Sequence, residues 1–393
     1  MTPEHRVAAA ELTLLGADGA PLPEQEVVVE QVSHAFRFGN IGFEWVGDEA
    51  PAFADDWLEL FNAVTLPFYW AQFEPERGRP RSAQLRAAAE WFAQRGVAVK
   101  GHPLVWHTLA PDWLLGAPPD DVESAVRARI RRDAGEFRGL LSAWDVINET
   151  VIMPVFANGD NAITPLAVAR GRLGVIKMAF EEAWAADPDA TLLINDFDLS
   201  ESYERVLEEV LEAGVPIDAI GIQTHMHQGF RGAEQLLEIA DRFATFGLPL
   251  HFTETTLVSG DLMPPHIVDL NDHVVDEWPS TPEGEARQAD ELEEHYRALF
   301  GHPAVESIVL WGFTDAGAWL NAPVGVVRAD GSRKPSFDRL HSLIKDEWWM
   351  PPTALRTDAA GRLPVEGVRG TYRVANAGRS AEFELDGPVS VRL

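Results

Sequence analysis

Short apolar runs alternate with amphipathic stretches along most of the chain. Between about residues 36 and 344, each mainly apolar run is followed by a segment with the apolar spacing of a surface helix. The runs that predict strands are residues 36–39, 61–65, 97–101, 143–147, 191–194, 219–223, 249–253 and 307–311. The segments that predict helices are residues 53–60, 82–94, 122–136, 165–185, 202–213, 233–246, 285–300 and 336–344.

This alternation predicts an α/β fold with a parallel sheet, and eight strands is the number that closes a (β/α)₈ TIM barrel. A doubly wound open sheet is the structural alternative. That fold is typically used to bind nucleotides, and no glycine-rich phosphate loop follows any of the strands. We therefore predict the barrel.

The two flanks of the chain have a different pattern of apolar and polar residues. Residues 7–33 and 352–393 alternate apolar and polar positions around turn-like segments, the pattern of half-buried strands. Strands are predicted in particular at 370–374 and 382–385. Neither flank is large enough to bury a core alone, so we expect both to pair into one small β module. The predicted divisions are an N-terminal β segment (1–34), a catalytic barrel (35–348) and a C-terminal β segment (349–393).

Composition narrows the possible partners. The 393 residues include 62 acidic and 32 basic ones, a formal net charge of −30, which disfavours nucleic acid and anionic membranes as partners. There is no cysteine, which excludes disulfides, thiolate metal sites and a cysteine nucleophile. Glu11 interrupts the apolar stretch near the N-terminus, so the sequence predicts a cytoplasmic protein, or a secreted one if a leader precedes it.

Two glutamates follow predicted strands that lie across the barrel from each other. Glu149 ends the fourth strand after Asn148, and Glu254 ends the seventh. Active sites of such barrels assemble at the carboxyl ends of the strands. Cleavage of a glycosidic bond needs one protonated carboxyl group and one ionised carboxylate, which acts as a nucleophile or as a base. A single glutamate after a strand is usually a solvated loop residue, but the pair at these two positions predicts a glycosidase.

Aromatic, amide and imidazole side chains accompany the other strand ends. Tryptophan rings stack on sugar faces, while asparagine, glutamine and histidine bond sugar hydroxyls. Each tryptophan alone is as easily a buried core aromatic, and each histidine alone is more often a structural residue. Only the joint placement of these residues at one end of the barrel favours a sugar site. The candidates are His102, Trp106, His107, Asn195, Gln223, His225, Trp311 and Trp319.

The pair His225 and His227 raises a different possibility. Residues two apart on a strand share a face, so both imidazoles could bind one metal ion, as in a metal-dependent barrel hydrolase. His227 is expected in the loop beyond the strand, and no lysine or aspartate at a neighbouring strand end completes a metal site. We predict that the protein uses no metal and no other cofactor.

Six segments together resemble glycoside hydrolase family 10, the family of retaining endo-β-1,4-xylanases. They occur in the family's order and span the whole predicted barrel, and the flanks look like the β extension that some members carry. The segments are GHPLVWH (101–107), WDVINE (144–149), LLINDFD (192–198), GIQTHMH (221–227), FTE (252–254) and LWGFTDAGAWL (310–320).

The resemblance implies a role for each candidate. Glu149 corresponds to the general acid/base and Glu254 to the nucleophile of a double displacement. Asn148 would hold the sugar 2-hydroxyl, and Asn148 with His225 would keep Glu254 ionised. His102, Trp106, Gln223, His225 and Trp311 would line the subsite where the bond breaks, with Trp319 covering the adjacent glycone side.

The chain departs from the family pattern at two places. After the second strand the family usually shows Glu-Asn-x-Met-Lys-Trp, whose Asn and Lys hold the second glycone sugar. Here residues 66–70 read LPFYW, and only Trp70 and the following Glu74-Pro75 are retained. Trp70 is therefore added to the candidate substrate-binding residues. The family's Asp two places after the nucleophile is Thr256, which removes an expected partner of His225. A long loop, 257–284, is expected to shape the leaving-group side.

These observations lead to one principal hypothesis, an endo-1,4-β-xylanase-like hydrolase that acts on xylan or xylo-oligosaccharides. The altered second-strand segment motivates an alternative, a retaining glycosidase that releases a sugar or disaccharide from a plant glycoside. A third possibility, from another functional class, is an inactive barrel that only binds carbohydrate.

Overall fold

The eight predicted strands close into a parallel barrel. The computed structural model describes residues 2–47 and 49–393; Met1, part of the predicted N-terminal segment, lies outside the described residues. The barrel strands are β3 (Arg37–Ile41), β4 (Ala63–Pro67), β5 (Ala98–His102), β6 (Ala143–Asn148), β7 (Thr191–Asp196), β8 (Ala219–Met226), β9 (Leu250–Leu257) and β10 (Val305–Leu310). They follow one another in chain order around the barrel, and β10 neighbours β3. The predicted (β/α)₈ barrel is confirmed, and the open doubly wound sheet is ruled out.

Helices separate the barrel strands along the chain. They are α1 (Ala54–Leu60), α2 (Trp70–Phe73), α3 (Ser82–Ala93), α4 (Pro119–Glu136), α5 (Ile163–Arg170), α6 (Arg172–Ala186), α7 (Glu201–Glu212), α8 (Ala233–Ala244), α9 (Pro282–Phe300) and α10 (Pro335–His341). Within the described part of the chain, no helix is long and apolar enough to cross a membrane.

Three details of the helices differ from the sequence prediction. The single helix expected at 165–185 is two helices, because Gly171 has a φ of 76°, which no α-helix accommodates. The helix predicted at 336–344 ends at His341 and continues as a π-helical turn, Ser342–Glu347. The short helix α2 lies in a segment for which no helix was predicted.

The sequence of α7 shows why these segments are helical. Ser200 caps its N-terminus by accepting a hydrogen bond from the Ser202 amide, which satisfies one of the free N–H groups of the first turn. Its buried residues follow the three-to-four-residue spacing of one helix face: Tyr203, Val206, Leu207 and Val210.

The flanking segments form a separate compact unit, Met1–Arg37 with Pro335–Leu393, while Phe38–Lys334 form the barrel unit. The flank strands are β1 (Val7–Leu15), β2 (Glu26–His34), β11 (Thr353–Arg356), β12 (Arg362–Val368), β13 (Gly370–Asn376), β14 (Arg379–Glu384) and β15 (Val389–Arg392). They form two sheets, in the orders β12-β1-β15 and β11-β2-β13-β14. The predicted β module from both flanks is confirmed.

Strand alternation explains the core of this module. In β1, every second residue is buried while the residues between them face outward. The buried set includes Leu12 and Leu14, which pack with Val29 of β2 and Val365 of β12 in one apolar cluster. Each sheet contains strands from both ends of the chain, so the core requires both flanks.

Candidate active site

Both predicted carboxylates lie at the carboxyl-terminal end of the barrel. Glu149 directly follows β6 and has a φ of 58°, in the left-handed region that non-glycine residues rarely adopt. Glu254 lies within β9 and is 5% exposed. Strands β7 and β8 separate the two on one side of the barrel. A strained backbone at Glu149 that the surrounding hydrogen bonds maintain is typical of functional sites.

A chain of amide hydrogen bonds joins the two carboxylates. Asn148 Nδ2 donates to Glu149 Oε1 (3.2 Å), and Asn195 Nδ2 donates both to Asn148 Oδ1 (2.8 Å) and to Glu254 Oε1 (2.8 Å). Gln223 Nε2 also donates to Asn148 Oδ1 (3.0 Å). These amides fix the separation of the two glutamates and hold both side chains toward one cleft.

The position of Asn195 is itself fixed by its neighbours. Its Oδ1 accepts a hydrogen bond from Thr253 Oγ1 (2.6 Å). Its carboxamide also lies so close to Gly221 on β8 that a Cβ there would be 2.4 Å from Asn195 Oδ1. The glycine of the GIQ segment is therefore needed for packing, because any side chain would displace the amide that bonds Glu254.

The surroundings of Glu149 favour its protonated form. Burial, with the negative charges of Asp196 and Glu254, raises the pKa of Glu149 to about 8, although the indole of Trp106 donates a hydrogen bond to Oε2 (2.9 Å). His107 Nε2 lies 3.5 Å from the same oxygen. Burial lowers the pKa of His107 to about 4, so this imidazole is neutral and adds no positive charge near Glu149.

The surroundings of Glu254 favour its ionised form. Burial alone would raise the pKa of Glu254, but positive charge on His102, the hydrogen bond and charge of His225, and the charge of Lys100 together lower it. His225 Nε2 lies 3.0 Å from Glu254 Oε2, and His102 Nδ1 lies 4.0 Å from Oε1. The environments of the two carboxyl groups thus shift their pKa values in opposite directions.

One of the predicted partners of Glu254 is wrong. Asn148 was expected to keep Glu254 ionised, but its amide bonds Glu149 instead, and Asn195 of β7 makes the amide contact to Glu254. The reason is the position of Asn148 directly before Glu149, which places the two side chains side by side. His225 does contact Glu254, as the resemblance implied.

A buried ionic group beside the site was not identified from the sequence. Asp145 Oδ2 is 2.6 Å from Lys100 Nζ and 2.7 Å from His102 Nδ1. Burial would raise the pKa of Asp145, but the charge of Lys100 and the hydrogen bond from His102 outweigh it and lower that pKa. Lys100 and His102 are two apart on β5 and therefore share a face, a signal that was present in the sequence. Strand β6 has an irregular register against β7 between Asp145 and Ile147, which sequence does not show.

The structure places the two histidines of the metal alternative at the end of β8. His227 lies just beyond β8, and burial lowers its pKa to about 3. Thr256 Oγ1 lies 3.5 Å from His225 Nδ1 and 3.4 Å from His227 Nδ1, so this hydroxyl faces both rings in the place of the family's Asp. Among the described residues, no group of three or more histidine and acidic side chains is arranged to hold a metal ion.

Aromatic rings from several strand ends surround the carboxylates. Trp311 contacts His102 with ring centroids 5.2 Å apart, and Trp319 contacts His225 at 5.0 Å. Around Glu149 and Glu254 the structure brings together nearly all of the predicted site residues: His102, Trp106, His107, Asn148, Asn195, Gln223, His225, Trp311 and Trp319.

Trp70 is the exception and corrects the predicted site. It is 4% exposed, its indole donates to Glu74 Oε2 (2.9 Å), and its ring packs against Trp113 and the guanidinium of Arg129. The preceding residue, Tyr69, contacts the rings of the site instead. The reason is that Trp70 begins helix α2, which directs its side chain toward α4, and sequence gave no sign of that helix.

The long loop after β9 has a small core of its own. Val258, Met263 and Trp278 pack with Ala322 and Val324. The Met263 amide donates to the His227 carbonyl (3.0 Å), which holds the loop against the end of β8. The loop is therefore folded onto the barrel end where the carboxylates lie. Its predicted role on the leaving-group side stays a prediction.

The carboxyl-terminal end of this parallel barrel holds one carboxyl group whose environment favours its protonated form and one whose environment favours its ionised form. This combination is typical of a glycoside hydrolase active site. The comparison with known families agrees with this class. The profile of Glycosyl hydrolase family 10 matches residues 57–342, most of the chain. The chain belongs to this family.

Individual relatives are distant. The chain is 27% identical over 319 residues to endo-1,4-beta-xylanase B of Thermotoga neapolitana. The aligned region covers 78% of this chain and 84% of that enzyme. It is 26% identical over 381 residues to endo-1,4-beta-xylanase 1 of Arabidopsis thaliana, covering 92% of this chain but only 36% of that protein's length. The structure of xylanase 10B from Thermotoga petrophila in complex with xylobiose superposes with a TM-score of 0.65 at 22% identity, over 80% of this chain and 95% of that one.

Proposed function

We propose that the protein hydrolyses β-glycosidic bonds by double displacement, with Glu149 as general acid/base and Glu254 as nucleophile. The observation that supports the proposal is that the surroundings of the two glutamates shift their pKa values in opposite directions. Burial raises the pKa of Glu149 to about 8, while His102, His225 and Lys100 lower that of Glu254. At neutral pH one group holds a proton to donate and the other holds a free electron pair, which is the division of labour that the reaction requires.

The first step forms a covalent intermediate. A carboxylate oxygen of Glu254 attacks the anomeric carbon as the bond to the leaving oxygen breaks, and Glu149 gives its proton to that oxygen. In the second step a water molecule attacks the same carbon, Glu149 removes its proton, and the bond to Glu254 breaks. Both carboxyl groups return to their starting states, so no cofactor is required.

Asn148 is suited to hold the sugar in this reaction. Its Oδ1 already accepts from Asn195 and Gln223, so the orientation of its amide is fixed. One N–H of Nδ2 bonds Glu149, and the second N–H is left to donate to the sugar 2-hydroxyl. A bond at that position strengthens as charge develops at the anomeric carbon and supports the transition state.

We propose xylan or xylo-oligosaccharides as the substrate, by endo-1,4-β-xylanase-like cleavage. The support is family membership together with the names of the two relatives described above, both of which are endo-1,4-beta-xylanases. Trp106, Trp311 and Trp319 supply aromatic surfaces on which sugar rings stack.

The direct test is hydrolysis of xylohexaose, followed by proton NMR of the newly formed anomeric centre. Shorter xylo-oligomers whose first product is the β-anomer are expected, because double displacement retains the configuration. An initial α-anomer would contradict Glu254 as nucleophile. Intact xylohexaose together with cleavage of other β-glycosides would contradict the substrate but not the mechanism.

The pKa values also predict the pH dependence of kcat/KM. Activity requires protonated Glu149, so it should fall as pH rises through about 8. Activity also requires ionised Glu254, so the acid limb should lie below the usual glutamate pKa of about 4.3. A pH series of kcat/KM on an aryl glycoside measures both limbs. An alkaline limb near pH 5 would contradict the assignment of Glu149.

A further inference from the structure

Four rings from neighbouring barrel strands form a closed chain of contacts beside the carboxylates. Phe43 follows β3, Tyr69 follows β4, His102 ends β5 and Trp311 follows β10. The ring centroids are 5.8 Å apart for Phe43 and Tyr69, 5.7 Å for Tyr69 and His102, 5.2 Å for His102 and Trp311, and 5.5 Å for Trp311 and Phe43. All four contacts are edge-to-face, so we refer to these residues as the aromatic ring cluster.

The contacts in this cluster leave no passage for a sugar. Edge-to-face rings with centroids 5 to 6 Å apart are in van der Waals contact. A pyranose ring would have to separate two members of the cluster to pass between them. The cluster therefore acts as a wall across the ends of β10, β3, β4 and β5.

The wall lies next to the reacting groups. His102, one of its members, has Nδ1 4.0 Å from Glu254 Oε1. Tyr69 also packs against Trp106, with centroids 5.8 Å apart, and Trp106 donates to Glu149. Tyr69 thus contacts the neighbours of both carboxylates, and its phenol lies within the electrostatic influence of Glu254, Glu149 and Asp145.

The sequence position of Tyr69 corresponds to a sugar-binding residue of the family segment. It directly precedes Trp70, the position at which the family segment described above has its lysine. An ammonium group there offers three hydrogen-bond donors to sugar hydroxyls, whereas a tyrosine ring offers mostly apolar surface and fills more of the space. Lys100 does not replace that lysine, because its ammonium is bonded to Asp145 (2.6 Å).

From this arrangement we infer that Tyr69 restricts the glycone side to one tightly bound sugar, so that a second glycone sugar adds little to transition-state binding. The inference rests on the proposed function and narrows it, because cleavage would then fall close to the non-reducing end of a chain. Tyr69 acts here as a specificity-determining residue, and the reaction still depends on Glu149 and Glu254.

The test compares aryl β-glycosides that carry one or two glycone sugars. We expect kcat/KM for an aryl β-xylobioside to exceed that for the aryl β-xyloside by no more than about tenfold in the wild type. Tyr69→Ala should raise this ratio by about tenfold or more, because it opens the wall. Tyr69→Phe, which keeps the ring, is the matched control and should leave the ratio unchanged. A wild-type preference for the xylobioside above about a hundredfold would overturn the inference whether or not the variants fold.

Covalent labelling separates failure of this inference from failure of the proposed function. The wild type is incubated with 2-fluoro aryl xyloside and 2-fluoro aryl xylobioside together, and the intact mass shows how many sugars are attached. A one-sugar adduct in at least equal amount supports the inference. A two-sugar adduct alone overturns it but leaves the function intact. Absence of any adduct, with no cleavage of either aryl glycoside, contradicts the proposed function and the inference with it.

Discussion

Replacing Glu254 with glutamine is expected to reduce kcat on any β-glycoside substrate by about 10⁴-fold or more, as loss of a nucleophile does in other covalent mechanisms. The amide keeps the size of the side chain and its contact with Asn195, but it lacks the negative charge and the nucleophilic electron pair that attack the anomeric carbon. Steady-state rates on an aryl glycoside, measured for wild type and variant at the same pH, give the effect.

The control for this variant is Glu306→Gln, since Glu306 lies on β10 of the same barrel but is exposed. That substitution should leave kcat within a factor of two or so, because it removes only a solvated surface charge. A 2-fluoro glycoside should label the wild type on the peptide that contains Glu254 and should not label Glu254→Gln. Near-wild-type turnover by Glu254→Gln on an unactivated substrate would rule out the mechanism.

Glu149→Gln is expected to show a loss that depends on the leaving group. General acid catalysis contributes about 10²- to 10⁴-fold when the leaving group is a poor one, such as a sugar hydroxyl. A dinitrophenolate needs no proton to depart, so the first step on such a substrate should be nearly unaffected. Rates measured along a series of aryl glycosides of increasing leaving-group pKa should therefore fall far more steeply for the variant than for the wild type.

The same variant tests the origin of the alkaline limb. If the proton that is lost near pH 8 belongs to Glu149, that limb should disappear in Glu149→Gln, because the amide does not titrate. An unchanged limb would assign the titration to another group and would contradict the role proposed for Glu149.

The barrel was predictable because its strands and helices have different apolar periods, and eight alternations leave few other folds. The location of the site followed from the rule that loops at the carboxyl ends of the strands carry the chemistry. For the same reason, Glu149, Glu254 and most of their neighbours were expected together before their contacts were known.

The errors arose where local backbone geometry decides the direction of a side chain. Trp70 and Tyr69 are adjacent, and the start of α2 determines which of them faces the cleft. Likewise, the shifted register of β6 against β7 involves a single extra residue that no periodicity reveals. Lys100 is different, because its shared strand face with His102 was visible in the sequence.

The pairing of β1 with strands from the far end of the chain also has a consequence for synthesis. Val7 pairs with Val368, and Leu12 pairs with both Leu363 and Val389. On a ribosome that adds about 5 to 20 residues per second, β1 emerges on the order of half a minute before either partner strand exists. During that time its apolar face and both of its edges are uncovered, and open edges invite pairing with other chains. β1 is thus made well before the strands that cover it, and during that interval the nascent chain is exposed to aggregation.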